Sequence, residues 1–231
     1  MGSLGDGGSS SSSSNLPYWQ VNVPEAERTE ECPEYLVGLS PKDEGIIGTP
    51  DAEYRASTWA EVRALVAANR LDQFRRWPSA LRKYREYTWR LARDHGSVMN
   101  FVLGRRLRWP SPPRPSGAPP FARADDLAVL RNDWPYGVDP RIVHLVVWTK
   151  FDLPEDPATG DLTDRARAEI DAYVRKTFGA RVPEGNYIWF KNWRSLKSVH
   201  AVEHFHVMLY DPDPAFVDEI TNGDVALCDK V

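Results

Sequence analysis

The run Ile142–Thr149, IVHLVVWT, constrains the fold more than any other stretch, because it is apolar on both faces of a strand. Strands that are buried on both sides have continuous apolar runs rather than alternating ones. The segment therefore predicts a central strand of a sheet. His144 shares a face with Val146 and Trp148, and a lone histidine in such a strand is typical of a core residue with ordinary hydrogen-bond partners.

A second strand is predicted over Val202–Tyr210, which is rich in β-branched and aromatic residues. Side chains alternate between the two faces of a strand, so Glu203 and a set of apolar residues point one way while His204 and His206 point the other. Two imidazoles on one face can reach the same ligand, metal ion or phosphate, and they titrate near cellular pH. His206 and His204 are therefore the candidate catalytic residues.

The chain before this strand carries many hydrogen-bond donors. Tyr187–Trp193 predicts a strand that pairs antiparallel with Val202–Tyr210 across a short connection. A solvated loop would have a similar composition. The alternative is a binding site for an anionic substrate, for which the candidate residues are the cationic, amide and hydroxyl side chains Lys191, Asn192, Arg194, Ser195, Lys197 and Ser198.

A divalent metal ion offers another use for the histidines. His204 and His206, together with His200 or His144 and a carboxylate such as Glu203 or Asp133, would supply at least three ligands and leave a position open for water or oxygen. Glu203 points away from the two imidazoles in the predicted strand, which argues against it as that carboxylate.

Helix signals precede and follow these strands. Thr58 and Glu61 have the spacing of a capping box and predict a helix over about 58–69. Further helices are predicted over 79–95, ended by Gly96, then from Ser97 onward, over 163–178 and over 215–220. An apolar stripe on the helix 79–95 is typical of core packing rather than of a ligand site, and it consists of Leu81, Tyr84, Tyr87 and Leu91. Residues 16–50 have few periodic signals and are expected to form extended chain and turns.

The element order predicts an α+β fold with a small, mostly antiparallel sheet, helices on one side or at one end of it, and a helical N-terminal part. A chain of 231 residues suits one domain, here 16–231. Residues 1–15 are rich in glycine and serine, which predicts a disordered tail. Residues 109–120, WPSPPRPSGAPP, predict a stiff exposed loop within that domain.

Composition narrows the classes of function. A net charge of −4 argues against a general nucleic-acid-binding surface. The chain has no apolar run long enough for a membrane span, and its N-terminus lacks the features of a secretory signal. Its two cysteines, Cys32 and Cys228, are too few for a disulfide scaffold and suggest a reducing compartment. The expectation is a cytoplasmic protein without nucleic-acid or membrane partners.

Several long motifs carry a resemblance to a known family. Among them are NDWPYGVDPRIVHLVVWTKF, IWFKNW, SLKSVHAVEHFHVMLYDPDP and TNGDV. With these motifs, the sequence from about Leu16 to Val225 resembles the fungal N-acetylglucosamine-induced protein 1 family. The resemblance implies a fungal intracellular protein linked by its family name to amino-sugar response, and it implies no particular reaction.

The order of IVHLVVWTK, a helix, YIWFKN and SVHAVEHFHVML is also similar to that of the histidine-triad proteins, which are nucleotide hydrolases and transferases. This resemblance implies a histidine-triad-like core in which His206 matches the nucleophile and His204 its first partner. It also implies that Asn192, Ser195 and Ser198 face the phosphate. The chain departs from that pattern at the third position, Met208, because methionine cannot donate a hydrogen bond.

Three functions follow as hypotheses. The first is a small-molecule enzyme, a hydrolase or transferase, that acts on a phosphorylated or nucleotide-linked substrate, including amino sugars, with His206 as nucleophile or general base. The second is a metal-dependent enzyme that uses the histidine ligands described above. The third is a non-catalytic metabolite-binding or regulatory protein, which senses a sugar-derived metabolite or contacts a partner through its tryptophans and the proline-rich loop.

Overall fold

The computed structural model describes residues 16–193 and 202–230 of the chain. One antiparallel sheet has the strand order β1-β2-β4-β3, with β1 Leu127–Arg131, β2 Ile142–Thr149, β3 Tyr187–Phe190 and β4 Glu203–Tyr210. The α-helices are α1 Pro41–Ile47, α2 Trp59–Ala67, α3 Pro78–His95, α4 Val98–Phe101, α5 Asp164–Thr177 and α6 Pro214–Thr221. The predicted α+β class is confirmed. The predicted tail 1–15 lies outside the described residues.

The apolar segment β2 lies between β1 and β4, as the sequence predicts for a central strand. Its register with β4 places Val146 opposite His206 and Trp148 opposite His204. The predicted antiparallel pairing of the 187–193 and 202–210 segments is also confirmed, since β3 pairs with β4 from Tyr187 to Phe190.

One face of the sheet packs against α5 and α6. Phe205, Val207 and Leu209 of β4 are fully buried there, together with Ile170 and Val174 of α5. Burying each such side chain contributes about 1.5–3 kcal/mol relative to leaving it exposed. This is the inward face predicted from the alternation in β4.

The opposite face is also covered, which differs from the expectation of helices on one side or at one end. Met208 of β4 packs there with Val62 of α2, and Val202 packs with Val102 and Leu103 next to α4. The physical reason is the composition of β2. A strand that is apolar on both faces needs helices on both to remove its side chains from water.

Local signals fix where several helices begin and end. Thr58 and Glu61 form the predicted capping box at the start of α2. Gly96 ends α3 with a φ of 75°, a left-handed conformation that glycine adopts without steric cost. Ser97 then caps α4, which continues as a π-helical turn over Val102–Leu107.

The structure of residues 16–50 is more regular than the sequence predicts, whereas residues 109–120 agree with the prediction. Residues 16–50 contain α1 and several short 3-10 turns rather than only extended chain, and Leu36, Ile46 and Ile47 pack there against Leu81 of α3. Residues 109–120 have no helix or strand, as expected for the proline-rich loop. In the part of the chain that the structure describes, every helix is too short or too polar to cross a membrane.

Candidate functional site

The sheet face that packs against α3 and α4 carries a cluster of histidines. His204 and His206 of β4 lie on this face with ring centroids 5.7 Å apart. The indole of Trp148 lies 4.5 Å from the His204 ring, and Phe190 stacks on His206 at 5.0 Å. The two imidazoles are thus brought together as the alternation in β4 predicts, between aromatic walls from β2 and β3.

A third imidazole comes from β2. His144 is buried, and its ring centroid lies 5.1 Å from that of His206. A hydrogen bond of 3.0 Å joins His144 Nε2 to His206 Nδ1. The amide nitrogen of Asn132 lies 3.1 Å from His144 Nε2 on the other side. His144 is thus a hydrogen-bonded core histidine, as predicted, and it also forms part of the cluster.

Asn192 lies beside His206 on the cavity side. Its amide nitrogen is 3.2 Å from His206 Nε2 and 3.3 Å from the hydroxyl of Tyr136. The Asn192 side chain is buried, and its carbonyl oxygen has no hydrogen-bond partner among the described residues. An unpaired buried acceptor costs roughly 1–3 kcal/mol, so this oxygen is suited to accept a hydrogen bond from a ligand.

The hydrogen bond between His204 and the backbone of Val202 shows which ring nitrogen of His204 carries a proton. His204 Nδ1 lies 2.9 Å from the carbonyl oxygen of Val202. A carbonyl oxygen can only accept, so Nδ1 carries the proton and donates it. In the neutral ring, Nε2 is therefore the nitrogen with the lone pair.

Burial keeps two of the three rings neutral. It lowers the pKa of His144 to about 3, and the nearby charge of Arg76 acts in the same direction. Burial is also the main cause that lowers the pKa of His206 well below its usual range, with further contributions from His144, His204 and Arg76. At cellular pH, both rings are therefore neutral, and one nitrogen of each ring holds a lone pair.

A cavity of about 150 Å³ lies in front of the cluster, between the sheet and the helices α3 and α4. His204, His206 and Asn192 line its sheet side. Its other walls come from α3, from α4 and from the turn before β2, and they include the aromatic residues Tyr84, Tyr87, Phe101, Trp134 and Tyr136. A concave pocket that combines aromatic walls with convergent polar groups is a common form of small-molecule site.

Three arginines line the cavity, and two of them are neutralised. Arg106 binds Asp224 through two hydrogen bonds of 2.7 and 2.9 Å and also pairs with Asp133 at 2.8 Å. Arg131 donates to the backbone oxygen of Asp224 and pairs with Asp218 at 3.3 Å. Burial raises the pKa of Asp133, and the charge of Arg106 opposes that effect. The third arginine, Arg76, is described below.

Not every predicted site residue reaches the cavity. Lys191 lies on the opposite side of the sheet, where its buried ammonium pairs with Glu155 and with Glu203 at 3.4 Å. Strand alternation explains this placement. Phe190 faces the cluster, so the next side chain points away and Asn192 returns to the cavity side. Lys191 is therefore corrected from a cavity residue to an ion-pair residue on the other face.

Arg194, Ser195, Lys197, Ser198 and His200 lie outside the described residues.

Residues 16–193 and 202–230 contain no set of side chains that supports the metal hypothesis. Within those ranges, no group of three or more histidine, cysteine, aspartate or glutamate side chains is arranged to hold a metal ion. His144 and His206 illustrate the reason. Their facing nitrogens are directed at each other, and the second nitrogen of His206 faces the Asn192 amide.

Sequence reasoning missed the helical wall of the cavity. Tyr84, Tyr87 and Leu91 were predicted as part of a core stripe. They do point inward, but there they line the cavity. Arg76 and Arg106 had no sequence signal, because their position depends on how the helices cross the sheet. The turn NDWPYG was a partial signal, since its rigid aromatic and acidic residues Asp133, Trp134 and Tyr136 do line the cavity.

Comparisons with known proteins place the chain among fungal relatives. A family model described as "Protein of unknown function (DUF3605)" matches residues 58–210. N-acetylglucosamine-induced protein 1 of Candida albicans is 30% identical over 185 residues, covering 72% of this chain and 73% of the relative. An uncharacterized protein of Saccharomyces cerevisiae, YPL067C, is 30% identical over 173 residues, covering 72% and 85%.

A solved structure is similar as well. The crystal structure of HTC1 aligns with a TM-score of 0.60 and 26% sequence identity, covering 74% of this chain and 98% of HTC1. The expected resemblance to the N-acetylglucosamine-induced protein 1 family is confirmed by the Candida relative. On the strength of the match over residues 58–210, the chain belongs to the DUF3605 family.

Proposed function

We propose that this protein is a cytoplasmic small-molecule enzyme that acts on a phosphorylated or nucleotide-linked substrate, with amino sugars among the candidates. His206 is its nucleophile or general base. The observation that carries the proposal is the position of His206, a neutral imidazole that borders the cavity while a second imidazole, His144, contacts its far nitrogen at 3.0 Å. The two cysteines form no disulfide, which agrees with a reducing compartment.

The hydrogen bonds of His206 favour its reactive tautomer. With the Asn192 amide oriented as described, its nitrogen donates to His206 Nε2, so that Nε2 holds the lone pair. The proton of neutral His206 is then on Nδ1, which donates to His144 Nε2. His144 therefore orients the ring and fixes its tautomer, as the partner of a catalytic histidine does. A substrate that accepts the hydrogen bond of the Asn192 amide nitrogen would leave Nε2 of His206 free to react.

His206 could hydrolyse a phosphate ester by either of two mechanisms. As nucleophile, Nε2 attacks phosphorus, the bond from phosphorus to the leaving oxygen breaks, and that oxygen takes a proton. Water then cleaves the phosphorus–nitrogen bond and restores the imidazole. As general base, Nε2 instead removes a proton from a water molecule while that water attacks phosphorus and the bond from phosphorus to the leaving oxygen breaks. The leaving oxygen takes a proton from solvent, and Nε2 then releases its proton to solvent. A phosphohistidine adduct detected by intact-mass spectrometry after rapid quenching would identify the first version.

The size of the cavity supports a compact substrate. An engineered cavity of about 150 Å³ in another protein accepts one benzene ring. The cavity here has a similar volume. It would accommodate a sugar ring, while a nucleotide would have to extend beyond it.

Turnover assays test the proposal. Release of phosphate or nucleotide from amino-sugar phosphates and nucleotide sugars is measured for the wild type, for H206N and for H95N. His95 ends α3 outside the cluster, so H95N controls for the loss of an imidazole. We expect H206N to remain folded, with a cooperative thermal transition, and to lose about 10²- to 10⁴-fold in kcat/KM. Full turnover by folded H206N would overturn the assignment.

A non-catalytic metabolite-binding protein is the second candidate, and the burial of His206 favours it. That side chain is 6% exposed, and each of its nitrogens is within hydrogen-bonding distance of a protein group. A binding protein needs a rigid, fully paired site more than an accessible nucleophile. Thermal-shift measurements with the same compounds separate the candidates. Stabilisation without turnover favours binding alone, and stabilisation with turnover favours the enzyme.

A further inference from the structure

Arg76 lies in a fixed position at the wall of the cavity. Its Nε donates a 2.9 Å hydrogen bond to the carbonyl oxygen of Trp134. Its guanidinium carbon lies 4.4 Å from the centre of the Tyr84 ring and 5.4 Å from that of Tyr136. An arginine held between aromatic rings loses little conformational freedom when it binds a ligand, because its planar group is already oriented.

The charge of Arg76 is not neutralised by any residue that the structure describes. Arg106 and Arg131, which also line the cavity, pair with Asp133, Asp224 and Asp218. Arg76 has no ion pair with any residue in the described part of the chain, and its terminal nitrogens make no hydrogen bond there. The cavity wall thus holds one guanidinium that has no counter-ion among the described residues, and its donors suit phosphate or carboxylate.

We propose that Arg76 binds the anionic group of the substrate, and that the site therefore selects a phosphate monoester on a compound of about one sugar ring. The inference deepens the proposed function and rests on it. It assigns a role to a residue outside β4 and gives the bound substrate a defined orientation. The anion lies at Arg76, and a hydroxyl or amide N–H of the same molecule donates to the unpaired carbonyl oxygen of Asn192.

Two observations support this arrangement. The charge of Arg76 contributes to the lowered pKa of both His144 and His206, so it is close enough to act electrostatically on the reacting group. Aromatic side chains such as Tyr84, Tyr136 and Trp148 also line the cavity, and apolar surroundings strengthen the attraction between a guanidinium and a phosphate. A purely structural role for Arg76, as a bracket between Trp134 and Tyr84, predicts no preference for charged ligands.

Calorimetric titration of the full chain separates these roles. The probes are N-acetylglucosamine 6-phosphate and, as its neutral counterpart, N-acetylglucosamine. The variants are R76M, R76K and R75M. Arg75 is the exposed neighbour, which makes R75M a matched control for the loss of one positive charge. R76K keeps the charge, so it tests the proposal even where R76M destabilises the protein.

We expect the wild type and R75M to bind the phosphorylated probe more tightly than the neutral one. R76M should weaken binding of the phosphorylated probe by about 10- to 100-fold, the usual effect of losing a charged hydrogen bond, and should leave the neutral probe unchanged. R76K should fall between the two and retain salt-dependent binding, because it keeps the charge without the guanidinium fork.

The inference is overturned if R76M and R76K bind the phosphorylated probe as tightly as the wild type, or if the wild type does not prefer that probe. Its failure is distinguishable from failure of the proposed function. Turnover that depends on His206 but has the same KM in R76M would remove only the role of Arg76. Binding that depends on Arg76 without any turnover would remove only the catalytic role of His206.

Discussion

His144 Nε2 and His206 Nδ1 lie 3.0 Å apart across two neighbouring strands, although the residues are 62 positions apart in the chain. His144 is directly opposite Met208, the residue that occupies the third position of the H-x-H-x-M run. The adjacent strand thus places a third imidazole beside His206. The cluster has three imidazoles in space, but only two of them belong to the motif.

The buried rings predict a stability that falls in acid. His144 and His206 are neutral in the folded protein and are protonated below about pH 6.5 once unfolded. Unfolding therefore takes up protons, and stability decreases as the pH falls from about 6.5 towards 3.

The variant H144Q tests this directly. We expect it to take up about one proton fewer on unfolding, measured as the pH dependence of urea unfolding between pH 7 and 4.5. H95Q, which removes an imidazole outside the cluster, is the control. A wild-type pH dependence in H144Q would contradict the assignment of a buried neutral ring.

The third position of the motif should require an apolar side chain. Met208 is fully buried against Val62 and Phe190. M208L conserves volume and is expected to cost less than about 1.5 kcal/mol. M208H places a polar ring among apolar side chains and is expected to cost about 1–3 kcal/mol. Urea unfolding at pH 7 gives both values, and greater stability in M208H than in M208L would show that this position prefers a histidine.

Arg106 should be among the most sensitive positions in the cavity wall. Its side chain is 9% exposed and neutralises Asp133 and Asp224. R106M would leave both carboxylates buried without their cation, at a cost of about 3–5 kcal/mol in unfolding free energy. R165M is the matched control, since Arg165 is 83% exposed in its pair with Glu169 and should change stability little. Equal effects of the two substitutions on urea unfolding would refute the buried network.

Gly137 is expected to tolerate no side chain. A Cβ there would lie 2.7 Å from Tyr54 Cζ, closer than real Cβ atoms approach other atoms. G137A should therefore cost about 1–3 kcal/mol through overpacking, and it should displace the neighbouring Tyr136 from the cavity wall. The control is G104A, because a Cβ at Gly104 meets no atom within 4 Å. A melting temperature of G137A equal to that of G104A would contradict this packing.

The sequence predicts the elements whose signals are local. The capping box at Thr58 and Glu61, the glycine at 96 and the apolar run of β2 each act within a few residues, and each lies where it was predicted. The missed helix α1 also had a local signal, Ser40 as N-cap followed by Pro41 at the first position. The missed strand β1 had none, because all five of its residues are half-buried at a sheet edge.

The candidate site is less predictable than the fold. His204 and His206 follow from alternation along one strand, but the pairing of His206 with His144 depends on the register between two strands. Lys191 was misplaced because residue composition does not reveal where a strand directs each side chain. The aromatic stripe of α3 has the same pattern whether it faces a filled core or a cavity, so Tyr84 and Tyr87 gave no sign of the site.

Asp224 and Leu227 help to form the cavity wall, and this affects which fragments of the family are suitable for experiments. Asp224 is a counter-ion of Arg106, and Leu227 borders the cavity and donates its backbone N–H to Asp133. Both residues follow the last position matched by the family model, Tyr210. A fragment cut at the family boundaries would therefore lose part of the cavity wall and the two carboxylates, Asp218 and Asp224, that pair with Arg131 and Arg106. Activity or binding screens on such a fragment would report on an incomplete site.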